Sequence, residues 1–245
     1  MKRILITGGS GFIGSHTCLV YLEKGYELFV VDSNINSSQK SLEKVKSILN
    51  LEKQKSSNRL HFFKGDLRDE KFIENIFYFA AEEGKPISGV VHLAGLKSVA
   101  ESNMFSIRYW DNNLFGTINL LKSMDKYDCN TLIFSSSATI YDNNHSNLLN
   151  EKSDLKPINP YGNTKYVSEM FLEDIFKNGK QKWKIACLRY FNPIGAHHSG
   201  LIGEDPLCAP NNIFPTILNE PNKEIKTLKI FGNDWPTNDG TGVRD

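Results

Sequence analysis

The chain has 245 residues, of which 40% are hydrophobic and 23% charged, with a formal net charge of +1. That composition suits one sizeable globular core, and the near-neutral charge lacks the basic excess that nucleic acid or an anionic membrane surface requires. Only Ile4, Leu5 and Ile6 precede Thr7, too short a run for a signal-peptide core, no apolar run reaches bilayer length, and Cys18, Cys129, Cys187 and Cys208 lie far apart, so the sequence reads as a reduced, cytoplasmic protein that handles small ligands.

Arg3 to Thr7 reads as a buried strand, broken by Gly8-Gly9-Ser10-Gly11-Phe12-Ile13-Gly14. A helix follows, with Phe12, Ile13, Leu19, Val20 and Leu22 on its apolar side, ended by Lys24 and Gly25. Glu27 to Val31 returns as a second strand that stops at Asp32. Gln39 to Leu51 keeps helical spacing, with Lys53 and Lys55 on a solvated face, and Leu60 to Phe63 is a third strand. A helix from Asp69 to Gly84, a strand Gly89 to Leu93, a helix Ile107 to Met124, a strand Thr131 to Ser135, a helix Pro160 to Phe176 and a strand Trp183 to Leu188 continue the alternation. Asn143 to Asn147 reads as a surface loop. From Asn192 prolines and glycines dominate, leaving a short helix at Ile213 to Leu218 and a strand at Leu228 to Phe231. The fold class is α/β, a doubly wound parallel sheet of Rossmann type. Residues 1–190 carry the alternation expected of a dinucleotide-binding domain, and residues 191–245 break from it and stop with no element to close them, which the resemblance given below implies is the start of an incomplete substrate-binding domain.

The glycine turn lets backbone approach a pyrophosphate, and the helix after it offers N–H groups and a positive dipole end to the same anion. An acid closing the second strand suits a ribose, so Asp32 favours NAD over NADP. The rival reading makes Asp32 a cap for the next helix. Asp66, two residues past the third strand, meets an adenine amine or caps a helix.

Tyr161 and Lys165 are four apart at the start of a helix and share one face. A tyrosine must drop about 3 pKa units to serve as a base at neutral pH, and Lys165 supplies that only in a partly desolvated site. The rival is a tyrosine packed on Pro160 with Lys165 in solvent. Ser137, in the serine-rich strand end Phe134-Ser135-Ser136-Ser137-Ala138-Thr139, is placed to hydrogen-bond the hydroxyl that Tyr161 deprotonates, or is a turn cap. Lys97 reaches a phosphate or the nicotinamide side, or solvent. His197 and His198 point apart in an extended chain with no third ligand, so no metal site is expected.

These residues resemble the extended short-chain dehydrogenase/reductase family, nearest to its UDP-hexose 4-epimerases. The resemblance rests on TGGSGFIGSHT at Thr7–Thr17, HLAGLKSV at His92–Val99, Asp111 to Asn113 with Gly116-Thr117, FSSSATIY at Phe134–Tyr141, Pro160 to Lys165, RYFNPIGAH at Arg189–His197 and DGTGVRD at Asp239–Asp245. It implies that Gly8, Gly11, Phe12, Ile13, Gly14, Asp32, Asp66, Leu67, Ala94, Gly95, Lys97, Asn112, Tyr161, Lys165 and Tyr190 hold NAD. Ser137, Tyr161, Asn192, Asn212 and Arg244 would hold a UDP-hexose. It also implies a homodimer through the helices around Ile107 and Val167. Dehydratases of this family carry an Asp-Glu pair at the strand end, where this chain has Ser136-Ser137-Ala138-Thr139. Members of the family continue well past residue 245, which leaves an NAD-binding module without catalysis as an alternative.

Overall fold

The computed structural model describes residues 1–51, 59–142, 148–179, 182–208, 210, 212–219 and 232–242. Lys53, Lys55, the Asn143–Asn147 loop, the expected strand at Leu228–Phe231 and Arg244 lie outside the described residues.

Six strands, β1 Arg3–Thr7, β2 Glu27–Asp32, β3 Leu60–Lys64, β4 Ile87–His92, β5 Thr131–Ser137 and β6 Lys184–Tyr190, form one sheet in the order β3-β2-β1-β4-β5-β6. Every pairing is parallel. Because successive side chains in a strand point to opposite faces, Leu5 and Ile6, Phe29 and Val30, and Val90 and Val91 divide between two cores. Leu5, Phe29 and Val90 pack with Ile73 and Phe77 of helix α3 (Glu70–Glu82), Leu120 of α6 (Gly116–Lys126) and Leu172 of α7 (Pro160–Asn178). Ile6, Val30 and Val91 pack with Leu19 and Leu22 of α1 (Phe12–Glu23) and Leu42 and Val45 of α2 (Lys40–Ile48). Truncating one of these fully buried leucines costs about 2–5 kcal/mol.

The order reverses at β1 and β4, which leaves a crevice beyond their C-terminal ends. Several boundaries differ from the sequence reading. Val20 is 46% exposed and lies off the buried side of α1, which is Gly14, Ser15, Cys18, Leu19 and Leu22. The run read as one helix from Ile107 is α5 (Ser106–Tyr109), a π turn at Trp110–Phe115, and α6. Before it stands an additional short helix, α4 (Val99–Met104), whose Ser98 side chain accepts from Glu101 N at 3.2 Å. β5 runs two residues further than expected because its pairing with β6 continues to Ser136↔Arg189 and Ser137↔Tyr190. α8 (Ile213–Asn219) is the short helix expected there.

Candidate active site

Gly8 has φ of +71°, a conformation L side chains rarely adopt, and a Cβ there would lie 2.7 Å from Ala94 N. The turn after β1 therefore rests on the chain leaving β4. A Cβ on Gly14 would collide with the Gly8 carbonyl, so α1 starts directly against the turn. Its N-cap is Gly11, with no side-chain cap and no acid in the first turn, and Phe12 and Ile13 open the helix. That leaves backbone N–H groups and a positive dipole end for an anionic ligand.

Asp32 is buried and does not cap a helix, since α2 begins at Lys40 behind Gln39. Its Oδ1 accepts from Asn34 N at 2.9 Å and Ser37 Oγ at 2.8 Å, and its Oδ2 from Ser10 N at 3.0 Å. One acceptor position remains on Oδ2. Asp66 does not cap a helix either. Asp69 caps α3, accepting from Phe72 N at 3.0 Å, while Asp66 is paired with Arg68, Nη2 to Oδ2 at 2.7 Å. Leu67 beside it is 8% exposed.

A chain of buried hydrogen bonds ties β1, β4 and α6 together behind the crevice. Thr117 Oγ1 donates to the Asn113 carbonyl at 2.5 Å, so it must accept from His92 Nε2 at 2.9 Å, which places the ring proton on Nε2. His92 Nδ1 then accepts from Thr7 Oγ1 at 2.6 Å, and Thr7 Oγ1 accepts from Ala94 N at 3.3 Å. Burial, with the charge of Lys165 adding to it, pushes the His92 pKa down to about 3. The Asn113 amide grips the loop after β4, with Leu96 N to Oδ1 at 2.8 Å and Nδ2 to Leu96 O at 3.0 Å, and Nδ2 also reaches Thr164 Oγ1 on α7 at 3.2 Å. A Cβ on Gly95 would lie 3.2 Å from Asn113 Oδ1 and 3.5 Å from Lys165 Nζ. Asn112 lies in the same π turn.

Pro160 and the Asn159 cap, which accepts from Gly162 N at 2.8 Å, start α7 one residue before Tyr161. Lys165 is 6% exposed, donates from Nζ to Ser135 O at 2.8 Å and lies 4.9 Å from the Phe134 ring centroid. This removes the reading of Lys165 as a solvated lysine. Burial lowers its pKa to about 8, with Glu169 opposing, so it is charged in most molecules at pH 7. The Tyr161 hydroxyl hydrogen-bonds Ser137, yet burial raises its pKa. Lowering it to neutrality thus demands positive charge beyond these side chains. Ser137 is also a cap, accepting from Thr139 N at 3.2 Å. Tyr190, its register partner on β6, has a hydroxyl pKa raised by burial.

Lys97 and Asn212 meet through Glu204, which Lys97 Nζ reaches at 3.1 Å and Asn212 Nδ2 at 2.5 Å. Asn192 is exposed just past β6. The rings of His197 and His198 do not point apart: their centroids are 4.0 Å apart. Asn113, Thr117, Glu204 and Arg68 are not among the site residues expected from the sequence, although Asn113 and Thr117 sit inside two of the runs that carry the resemblance. Ser98-x-x-Glu101 carries the capping signal that announces α4.

A family model described as GDP-mannose 4,6 dehydratase matches residues 5–245. The UDP-glucose 4-epimerase of Bacillus subtilis (strain 168) is 44% identical over 242 residues, covering 99% of this chain and 68% of its own length. UDP-glucose 4-epimerase 2 of Arabidopsis thaliana is 46% identical over 244 residues, 100% of this chain and 67% of its own. The chain belongs to the UDP-glucose 4-epimerase family. A solved member of the family, the Bifidobacterium longum enzyme in complex with NAD+ and UDP, superposes with a TM-score of 0.88 at 41% identity, covering 100% of this chain and 69% of that one. The chain thus spans about two-thirds of the length of these relatives.

Proposed function

We propose that this protein interconverts UDP-glucose and UDP-galactose, by removing and returning hydrogen at C4 of the sugar through a 4-keto intermediate. The observation that carries the reading is the Tyr161–Ser137 hydrogen bond with the buried Lys165 one helical turn on, in a sheet whose first turn is a glycine turn suited to a pyrophosphate. The cofactor is NAD. When bound, it supplies the hydride acceptor and the donor for the return, and its oxidised ring adds positive charge near Tyr161. Gly8, Gly11, Phe12, Ile13, Gly14 and Asp32 would hold its pyrophosphate and ribose. Asp66 and Leu67 would take the adenine end, and Ala94, Gly95, Lys97, Asn112 and Tyr190 the remainder.

Tyr161 takes the proton of the sugar 4-hydroxyl. Ser137 donates to the tyrosine oxygen as charge develops on it, and the buried Lys165 ammonium, one helical turn on, would lower the energy of that phenolate in a poorly solvated site. The proton returns from Tyr161 when the sugar, turned over in the site, is reduced from its other face. Asn192, Asn212 and Arg244 would hold the uridine diphosphate.

Dehydration is disfavoured because the strand end offers hydroxyls, Ser136, Ser137 and Thr139, and no acidic pair. The same reading places the domain boundary after Tyr190, where β6 ends, and locates the protein in the cytoplasm. Among the described residues no helix is long and apolar enough to cross a membrane. It also includes a homodimer through α5–α6 and α7, on which Ile107 is 83% and Met170 50% exposed. The test is to supply UDP-galactose without any external oxidant. UDP-glucose should accumulate, and Tyr161→Phe should abolish most of that turnover while NAD stays bound. A protein that binds NAD and leaves UDP-galactose untouched overturns the reading.

A further inference from the structure

Asn119 is the fourth residue of α6 and is 0% exposed. Its amide nitrogen donates to two consecutive carbonyls of the loop after β3, Leu67 O at 3.2 Å and Arg68 O at 3.0 Å, while its Oδ1 has no partner. A buried amide oxygen without a donor is a penalty that a leucine of similar size would not carry. The worth of the residue therefore lies in the two bonds it makes.

Two further contacts join this stretch of chain to the same loop. A Cβ on Gly116 would come within 3.2 Å of Leu67 Cβ, and Asp111, in the π turn, accepts from Arg68 Nη1 at 2.6 Å. Arg68 in turn fixes Asp66: its backbone N and Nε donate to Oδ1 at 2.9 and 3.1 Å, and its Nη2 to Oδ2 at 2.7 Å. Both acceptor positions of Oδ1 are filled, and one remains on Oδ2.

We propose that Asn119 is a positioning residue that sets the base selectivity of the dinucleotide site, holding the Asp66–Arg68 loop so that the open acceptor position of Asp66 meets an exocyclic amine. The inference rests on the reading above, in which the adenine of NAD lies beside Asp66. Hydrogen bonds from Arg68 hold the Asp66 carboxyl below its ordinary range, so at neutral pH it only accepts. Such a group welcomes a 6-amino group, which donates, and opposes a 6-oxo group, whose lone pairs face its own. Discrimination of this kind demands that the carboxylate stay in place, and the loop carrying it is secured from α6.

The probe is nicotinamide hypoxanthine dinucleotide, which replaces that amine with a carbonyl, measured against NAD by equilibrium competition. The wild type should prefer NAD by about tenfold or more. Asn119→Leu should bring the ratio to within about twofold, through weaker binding of NAD with the analogue little changed. Asn119→Ser, smaller and easier to accommodate, should reduce it in the same direction, and Asp66→Asn should erase or reverse it. An undiminished ratio in Asn119→Leu or Asn119→Ser, even with lowered stability, makes the grip structural only and overturns the inference. So does a ratio that survives Asp66→Asn. A wild type that binds both nucleotides equally overturns the inference and leaves the NAD reading standing, whereas one that binds neither overturns both.

Discussion

Lys165 has its charge nearly out of water and one strong acceptor, the Ser135 carbonyl. Its pKa is about 8 in the fold against about 10.4 in an unfolded chain. Between those values the folded state binds fewer protons, so stability rises with pH across that window, and below about pH 8 the full cost of burying the ammonium is present. Lys165→Met should therefore raise the unfolding midpoint at pH 7, lose that advantage as the pH approaches 10, and remove turnover. Denaturant melts at both pH values check this, and a lower midpoint at pH 7 would show that losing the Ser135 partner outweighs the relief. Tyr161 and Lys165 were legible in the sequence because a four-residue spacing on a helix is a local rule. Asn113 and Glu204 were not, because their partners lie 17 and 107 residues away along the chain. No periodicity encodes a side chain that hydrogen-bonds a distant segment.

The helices carry two lessons of this kind. Residues 107–124 keep enough apolar spacing to be read as one helix, but the π turn at Trp110–Phe115 widens it by one residue per turn. There the Asn113 amide faces the loop after β4 while its carbonyl takes the Thr117 hydroxyl. A 3.6-residue pattern cannot show a single wide turn. The start of α7 was legible because Asn159-Pro160 is a strong helix-opening signal. That opening also places the chemistry, since Tyr161 follows Pro160 directly and a Cβ on Gly162 would lie 2.8 Å from the Thr139 carbonyl. Asn159→Ala should cost about 1 kcal/mol in stability and lower kcat by more than that loss alone implies, with KM for the sugar nucleotide changed less. Matching the melting curve against steady-state rates tests this. A kcat that stays at the wild-type value would mean that the cap supports only the helix.

For the molecule as a whole, alternating strands and helices were enough to foresee a parallel sheet, and the order β3-β2-β1-β4-β5-β6 then places the glycine turn, Asp32, the loop after β4 and Ser137 along one edge. The strand expected at Trp183–Leu188 is β6, which runs from Lys184 to Tyr190, and its register with β5, which sets Tyr190 beside Ser137, depends on a pairing that no stretch of sequence shows alone. Because the residues proposed to hold the nucleotide come from the ends of five separate strands and from the π turn, a bound nucleotide should stabilise the entire sheet. NAD at about 100 times its dissociation constant adds about 2.7 kcal/mol, or roughly 5–10 °C in a chain of this size. Calorimetry with and without NAD measures it, and an unchanged midpoint would argue against a dinucleotide site.

The buried run from Ala94 N–H through Thr7, His92 and Thr117 to the Asn113 carbonyl has a direction. Each hydroxyl along it takes one proton and hands on one, so reversing any link would set two hydrogens or two lone pairs against each other. Only one arrangement of protons satisfies every member. The ring N–H of His92 should accordingly exchange with solvent very slowly and give a single sharp imidazole resonance. Splitting or loss of that signal would report that the turn after β1 and the loop after β4 had come apart, before any change in secondary structure could be seen.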